Sequence, residues 1–172
     1  MGAMLERADS VAGVCSLDQS DLLGWNYVLN GGLWLLLSSA DLESPMRGRF
    51  AFVYDSDSHC LTAIQRLKAV LKRLDMTIPR VFALPDPKST ILATALAQSL
   101  GCEFVNWSPD GDQRPGIIVT YDLSDVDRII DLDILAEKWP GQIFWVHALC
   151  WTKPFPVAPD VVSYLHQFSV SP

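Results

Sequence analysis

The chain has 172 residues, 49% of them hydrophobic, which is enough apolar material for one continuous core and predicts a single domain. Its 13 basic residues stand against 20 acidic ones for a net charge of −7, and Arg66, Lys68, Lys72 and Arg73 are its densest basic group. That weighs against a nucleic-acid partner, whose affinity rests on neutralising phosphates; the four cations read instead as the solvated face of a helix.

The first four residues, Met1 to Met4, read as a cloning scar before a native start, which leaves 5–172 as one α/β domain. No secretory leader is expected. Residues 5–20 mix charge and small residues and read as an arm or short helix. Trp25 to Leu29 and Leu33 to Leu37 flank Asn30-Gly31-Gly32, a segment that tolerates the positive φ of a tight turn, so a hairpin or a helix–strand pair is expected within the N-terminal arm of 5–48. The same stretch, Leu22 to Leu37, is broken by Asn26 and the glycines and is too short and polar to span a membrane. A loop from Ser38 to Gly48 follows.

Arg49 to Tyr54 reads as a strand. From Ser58 to Leu74 the residues Leu61, Ile64, Leu67, Leu71 and Leu74 recur at helical spacing, the clearest amphipathic helix in the chain. Pro79 introduces a strand at Arg80 to Leu84. Ser89 or Thr90 then caps a helix that runs to Leu100 and stops at Gly101. A short strand over Phe104 to Trp107 leads into the polar loop Ser108 to Gly116. After a strand over Gly116 to Tyr121, Ser124 or Asp125 starts a helix with apolar positions Val126, Ile129, Ile130 and Ile134, ended by Pro140-Gly141. The strand Ile143 to Trp151 is almost wholly apolar, as befits one covered on both faces. Past a proline cluster, Asp160 to Phe168 is expected to form a last short helix. Strands alternating with helices predict a mainly parallel, twisted sheet with helices on both faces, a Rossmann-like architecture.

The cysteines at 15, 60, 102 and 150 lack metal-ligand spacing and read as reduced thiols, hence a cytoplasmic protein. His147, alone in an apolar strand, reads as a hydrogen-bonded core residue. Cys150 has no histidine beside it and is not expected to act as a nucleophile. Most of the six tryptophans belong in the core; an exposed Trp25 or Trp34 would make the N-terminal region a protein-interaction surface.

Three strand ends carry acidic or hydroxyl-rich turns that pass into helices: Asp55-Ser-Asp57-Ser58, Asp86-Pro-Lys88-Ser89-Thr90 and Asp122-Leu-Ser-Asp125. In an open α/β sheet such turns gather at the carboxyl edge, where ligands bind. Each is also what helix capping alone would select. Lys88 is the residue that capping does not explain, because a cation opposes the dipole at a helix start; Lys88, Ser89 and Thr90 are therefore the candidate phosphate site. Asp122 and Asp125 are candidates for sugar hydroxyls or a metal.

The order of elements after residue 49 resembles the core of the type I phosphoribosyltransferases. Val81 to Leu100 looks like the family's pyrophosphate-binding unit, Ser108 to Pro115 stands where its mobile loop lies, and Ile117-Ile-Val-Thr-Tyr-Asp122-Leu-Ser-Asp-Val-Asp127 where its signature lies. Only Asp122 of the signature's acidic pair is in place, and the glycines and threonines that wrap a 5-phosphate are missing. The resemblance therefore implies a phosphoribosyltransferase-like fold that is non-catalytic or catalytically degenerate and binds a phosphorylated small molecule or a protein partner. No cofactor is expected beyond a possible Mg²⁺. A second resemblance makes Asp55 and Asp57 alternative catalytic residues, since Asp55-Ser-Asp57 is similar to the nucleophile motif of the haloacid-dehalogenase-like phosphatases, which are Mg²⁺-dependent phosphohydrolases.

Overall fold

The computed structural model describes residues 2–14, 17–36, 49–109, 114–126, 129–136, 139–153 and 157–172. The strands are β1 (Leu33–Trp34), β2 (Arg49–Tyr54), β3 (Arg80–Ala83), β4 (Glu103–Asn106), β5 (Gly116–Asp122), β6 (Gln142–Cys150) and β7 (Val161–Val170). The helices are α1 (Gly2–Ala12), α2 (Leu22–Asn30), α3 (Asp57–Arg73), α4 (Pro87–Leu100), α5 (Leu123–Val126) and α6 (Asp133–Ala136). The strands form one seven-stranded sheet in the order β1-β7-β6-β5-β3-β4, with β2 beside β1 along the same edge of β7. Among the described residues every pairing is parallel. β3 leads outward through α4 to β4, and the chain then returns to β5 on the other side of β3. The carboxyl ends of β3 and β5 therefore mark the point where strand order reverses.

Alternation along the central strands sends residues to two cores. Val81, Ala83, Ile117, Val119, Tyr121 and Trp145 meet α3 and α4 through Ile64, Leu67, Leu71, Leu92 and Leu96. Phe82, Leu84, Ile118, Phe144 and Val146 meet Leu123, Val126, Leu132 and Leu135 of the α5–α6 segment. Helices on both faces of a parallel sheet are thus what the apolar strands require. A fully buried leucine such as Leu67 or Leu96 contributes about 1.5–3 kcal/mol. Among the described residues no helix is long and apolar enough to cross a membrane.

Three local expectations are corrected and one pair of alternatives is decided. Of the hairpin and the helix–strand pair, the helix–strand pair is formed: Leu22–Asn30 is helical because the Asp21 carboxylate caps the Gly24 N–H at 2.9 Å, and Gly31, at φ 76°, ends the helix with its N–H on the Tyr27 carbonyl. The glycine serves as a helix C-cap, and Leu33–Trp34 runs parallel to Val161–Val162. Asp160 to Phe168 is not a helix, since Val161, Val162, Tyr164 and Phe168 suit a pleated strand and β7 fills the place between β6 and the N-terminal strands. Asp160 anchors its start by accepting the Phe144 N–H at 2.7 Å. The helix expected from Ser124 or Asp125 up to Pro140-Gly141 is, among the described residues, two short helices: Leu132 and Leu135 are buried while Ile129 and Ile134 are exposed, and the Asp131 carboxylate restarts the chain at the Asp133 N–H. The cap of α4 is Asp86, whose Oδ1 accepts the Ser89 N–H at 2.9 Å ahead of Pro87, not Ser89 or Thr90. Of the basic residues of α3, Arg66 turns inward and donates to the Leu35 and Leu36 carbonyls, while Lys68 stays at the surface and donates to the Ser99 carbonyl. The loop 38–48 and residues 110–113 of the expected mobile loop lie outside the described residues, as does Cys15.

Candidate functional site

The three junctions do meet at the carboxyl edge, and they fall into two polar groups. The first centres on Asp55. The end of β2 delivers it, held by its N–H on the Val170 carbonyl, and Ser56 caps α3 immediately after it. The Asp55 side chain has no exposed surface, and both of its oxygens are engaged. Oδ1 accepts the Ser56 N–H at 2.8 Å and lies 3.1 Å from His59 Nδ1; Oδ2 lies 2.9 Å from His147 Nε2 and accepts the Tyr121 hydroxyl. Cys60, one turn into α3, places Sγ 4.0 Å from Oδ2 and 3.6 Å from His147 Nε2.

Burial alone would push the Asp55 carboxyl up, but the His147 imidazole, the Tyr121 hydroxyl and the Ser56 N–H outweigh it and hold Asp55 well below the usual carboxylate range. The same carboxylate works on its neighbours. Burial, with Asp55 beside it, raises the Tyr121 phenol far above its ordinary value, and burial with Asp55 and Asp57 pushes the Cys60 thiol up to about 12. A protonated thiol is a poor nucleophile. The geometry agrees: Asp55 and Cys60 both meet Nε2 of His147, whereas a relay of acid, base and nucleophile needs the two ring nitrogens separately.

The second group joins α4 to β5. Ser89, fully buried, accepts the Tyr121 N–H at 2.7 Å and donates to Thr120 Oγ1 at 3.2 Å, and Thr90 donates to the Asp86 carbonyl at 3.0 Å. Both hydroxyls are therefore committed to the scaffold. Lys88 points outward to an ion pair with Asp125 at 2.8 Å, its ammonium 5.5 Å above the Tyr121 ring. Asp122 is buried; its Oδ1 accepts the Ser124 N–H at 2.8 Å and its Oδ2 lies 3.2 Å from His166 Nε2. Burial raises the Asp122 carboxyl, but His166 and Ser124 outweigh that and lower it.

A cleft of about 360 Å³ opens above these groups, between the first turns of α3 and α4. Tyr121 and Cys60 lie at its base, Asp57 and Lys88 line it on the polar side, and Leu61, Ile64, Ile91, Leu92 and Ala95 supply apolar walls. Leu61 and Ile91 are 55% and 72% exposed although their helices have apolar faces to bury. Trp25 is also partly exposed, on α2, where its indole N–H donates to the Asp18 carbonyl; Trp34 is half-buried.

Sequence reasoning found Asp55, Asp57, Lys88 and Asp122 but not Tyr121 or Cys60 as members of the site. It read His147 as a hydrogen-bonded core residue without its partner. The available signal was polarity: His147 interrupts an apolar strand, and a buried histidine needs an acceptor.

No family model and no curated protein sequence matches the chain. Among solved structures the chain is similar to a purine phosphoribosyltransferase from Pyrococcus horikoshii, with a TM-score of 0.51 and 17% identity, covering 72% of this chain and 94% of that one. At that identity the likeness is one of fold. The chain therefore has a phosphoribosyltransferase-like α/β fold, a parallel sheet with helices on both faces.

Proposed function

We propose that this domain binds a small phosphorylated molecule in the cleft between α3 and α4 and does not transfer phosphoribosyl groups. The observation that carries this reading is the position of the cleft: an apolar cavity with Lys88 at its polar side, beside the carboxyl ends of β3 and β5, where α/β sheets hold ligands. Leu61, Ile91, Leu92 and Ala95 take the apolar part of the ligand and Lys88 its phosphate, while Ser89 and Thr90 hold α4 in place. Lys88 is the cation among the described lining residues, and Asp125 already neutralises it in part. Asp57 and the Asp86 cap add negative charge nearby, so a single phosphate binds weakly and Mg²⁺ bridging to Asp125 strengthens it. Asp55 offers no exposed oxygen to a phosphate ester, which argues against using it as the nucleophile of a phosphohydrolase. A reducing compartment such as the cytoplasm suits the free thiols of Cys60, Cys102 and Cys150.

Calorimetric titration with a nucleoside monophosphate and with phosphoribosyl pyrophosphate, each with and without Mg²⁺, tests this. Binding that weakens about tenfold or more in Lys88→Ala supports it, since a charge-assisted contact is worth about 1.5–3 kcal/mol. Absence of binding, or binding indifferent to Lys88, rejects it.

A protein partner is the second reading, favoured by the aromatic group Phe52, Tyr54 and Phe168. Phe52 stacks on Phe168 with ring centroids 5.4 Å apart, and all three rings are exposed. Partner capture that survives Lys88→Ala but is lost in Phe52→Ser would favour this reading over the first.

A further inference from the structure

We infer that Asp55, Cys60 and His147 form a binding site for a borderline-soft divalent cation, zinc above all, with one coordination position open to the cleft. Asp55 at the end of β2 and Cys60 in the first turn of α3 are neighbours in the chain, whereas His147 in the middle of β6 is 92 residues from Asp55, and the donor atoms of all three lie within 4.8 Å of one another. The separations are 3.6 Å from Cys60 Sγ to His147 Nε2, 2.9 Å from Nε2 to Asp55 Oδ2 and 4.0 Å from Oδ2 to Sγ. A tetrahedral zinc ion, with bonds of about 2.3 Å to sulfur and about 2.0–2.2 Å to nitrogen and oxygen, sets its ligands about 3.4–3.6 Å apart. The sulfur–nitrogen edge already has that length. The other two edges need adjustments of about half an ångström, within reach of χ rotations in Asp55 and Cys60.

The donor set selects the ion. Magnesium and calcium take oxygen ligands and leave a thiol and an imidazole unused, whereas one thiolate, one imidazole and one carboxylate suit zinc or cobalt(II). Charge balance agrees, because a dication offsets the Asp55 carboxylate and the Cys60 thiolate. On binding, the Cys60 thiol releases its proton to solvent as the sulfur–metal bond forms, and as a nitrogen–metal bond replaces the Nε2–H hydrogen bond to Asp55 the ring proton of His147 moves to Nδ1. That nitrogen is buried with no hydrogen-bond partner among the described residues, which holds the affinity below that of a four-ligand structural site. Tyr121 keeps its bond to Asp55 and acts as a positioning residue. Cys60 and Tyr121 line the cleft, so the fourth position faces it, the arrangement of a zinc site that exchanges water for a ligand.

The test uses the full chain, stripped with a chelator and titrated with cobalt(II). The expected result is one ion per chain, the intense visible bands of four-coordinate cobalt, a thiolate-to-metal charge-transfer band in the near ultraviolet, and displacement of both by zinc. Cys60→Ser is expected to abolish the charge-transfer band and weaken binding at least tenfold, with circular dichroism showing the fold intact. The triple variant Cys15→Ser/Cys102→Ser/Cys150→Ser is expected to keep the band, and this decides the matter if Cys60→Ser does not fold. No stoichiometric binding at micromolar cobalt or zinc overturns the site, as does a charge-transfer band that persists in Cys60→Ser or disappears in the triple variant. Because Lys88 takes no part, a metal site in a protein that ignores phosphates rejects only the small-molecule reading above, and phosphate binding by a protein that takes up neither cobalt nor zinc rejects only this one.

Discussion

Tyr121 joins the two polar groups of the carboxyl edge. Its hydroxyl serves Asp55, its N–H serves Ser89, and its ring lies under the Lys88 ammonium. Tyr121→Phe removes a donor from a buried carboxylate and is expected to cost about 1.5–3 kcal/mol in urea unfolding, because a charged acceptor loses a bond it cannot replace with water. Tyr121→Phe with stability unchanged would show that water or another donor reaches Asp55. Asp122 makes the fold acid-sensitive. Its folded pKa lies below the unfolded value of about 3.9, so its contribution is present above that value and is lost as pH falls through the folded one. Asp122→Asn is expected to lower stability at neutral pH and to flatten the fall in stability below about pH 4. Equal slopes in the two proteins would show that Asp122 carries none of the acid effect.

At the scale of elements, α4 depends on its start and β5 on its neighbour. Asp86→Ala removes the N-cap and is expected to cost about 0.5–2 kcal/mol, while Asp86→Ser keeps an acceptor and costs less. At Gly116 an added Cβ would lie 2.7 Å from the Arg80 carbonyl oxygen and equally close to the Phe82 ring. Gly116→Ala therefore pushes β5 away from β3, with an expected loss of about 1–3 kcal/mol in thermal unfolding. The elements legible in the sequence are those whose pattern of apolar and capping residues is local, even where their partners are distant. The periodic leucines of α3, the Gly101 stop of α4 and the apolar runs of β3, β5 and β6 all read correctly. Asn30-Gly31-Gly32 signals a bend equally well for a hairpin and a helix end, and only the pairing of Leu33 with Val161 decides between them. The site divides the same way. Asp55, Lys88 and Asp122 announce themselves at strand ends, but the contact of Asp55 with His147 joins positions 92 residues apart and leaves no local pattern.

For the molecule as a whole, β7 is the strand on which the sheet's N-terminal edge depends. It pairs with β1 and β2 along one side and β6 along the other, and it carries Tyr164 and His166 to the polar groups. Ending the chain at Ala158 is expected to abolish cooperative unfolding, since it strips the N-terminal strands of their partner and exposes the β6 edge. A sigmoidal urea transition in that truncated chain would show that α3, α4 and the strands from β3 to β6 fold as a unit.

The same pairing has a consequence during synthesis. β2 leaves the ribosome early, while its partner follows more than a hundred residues later, with Tyr54 waiting for Val170. At about 5–20 residues per second the aromatic edge of the nascent chain stays unpaired for on the order of ten seconds, long enough for a chaperone to engage Phe50 and Phe52 before β7 arrives.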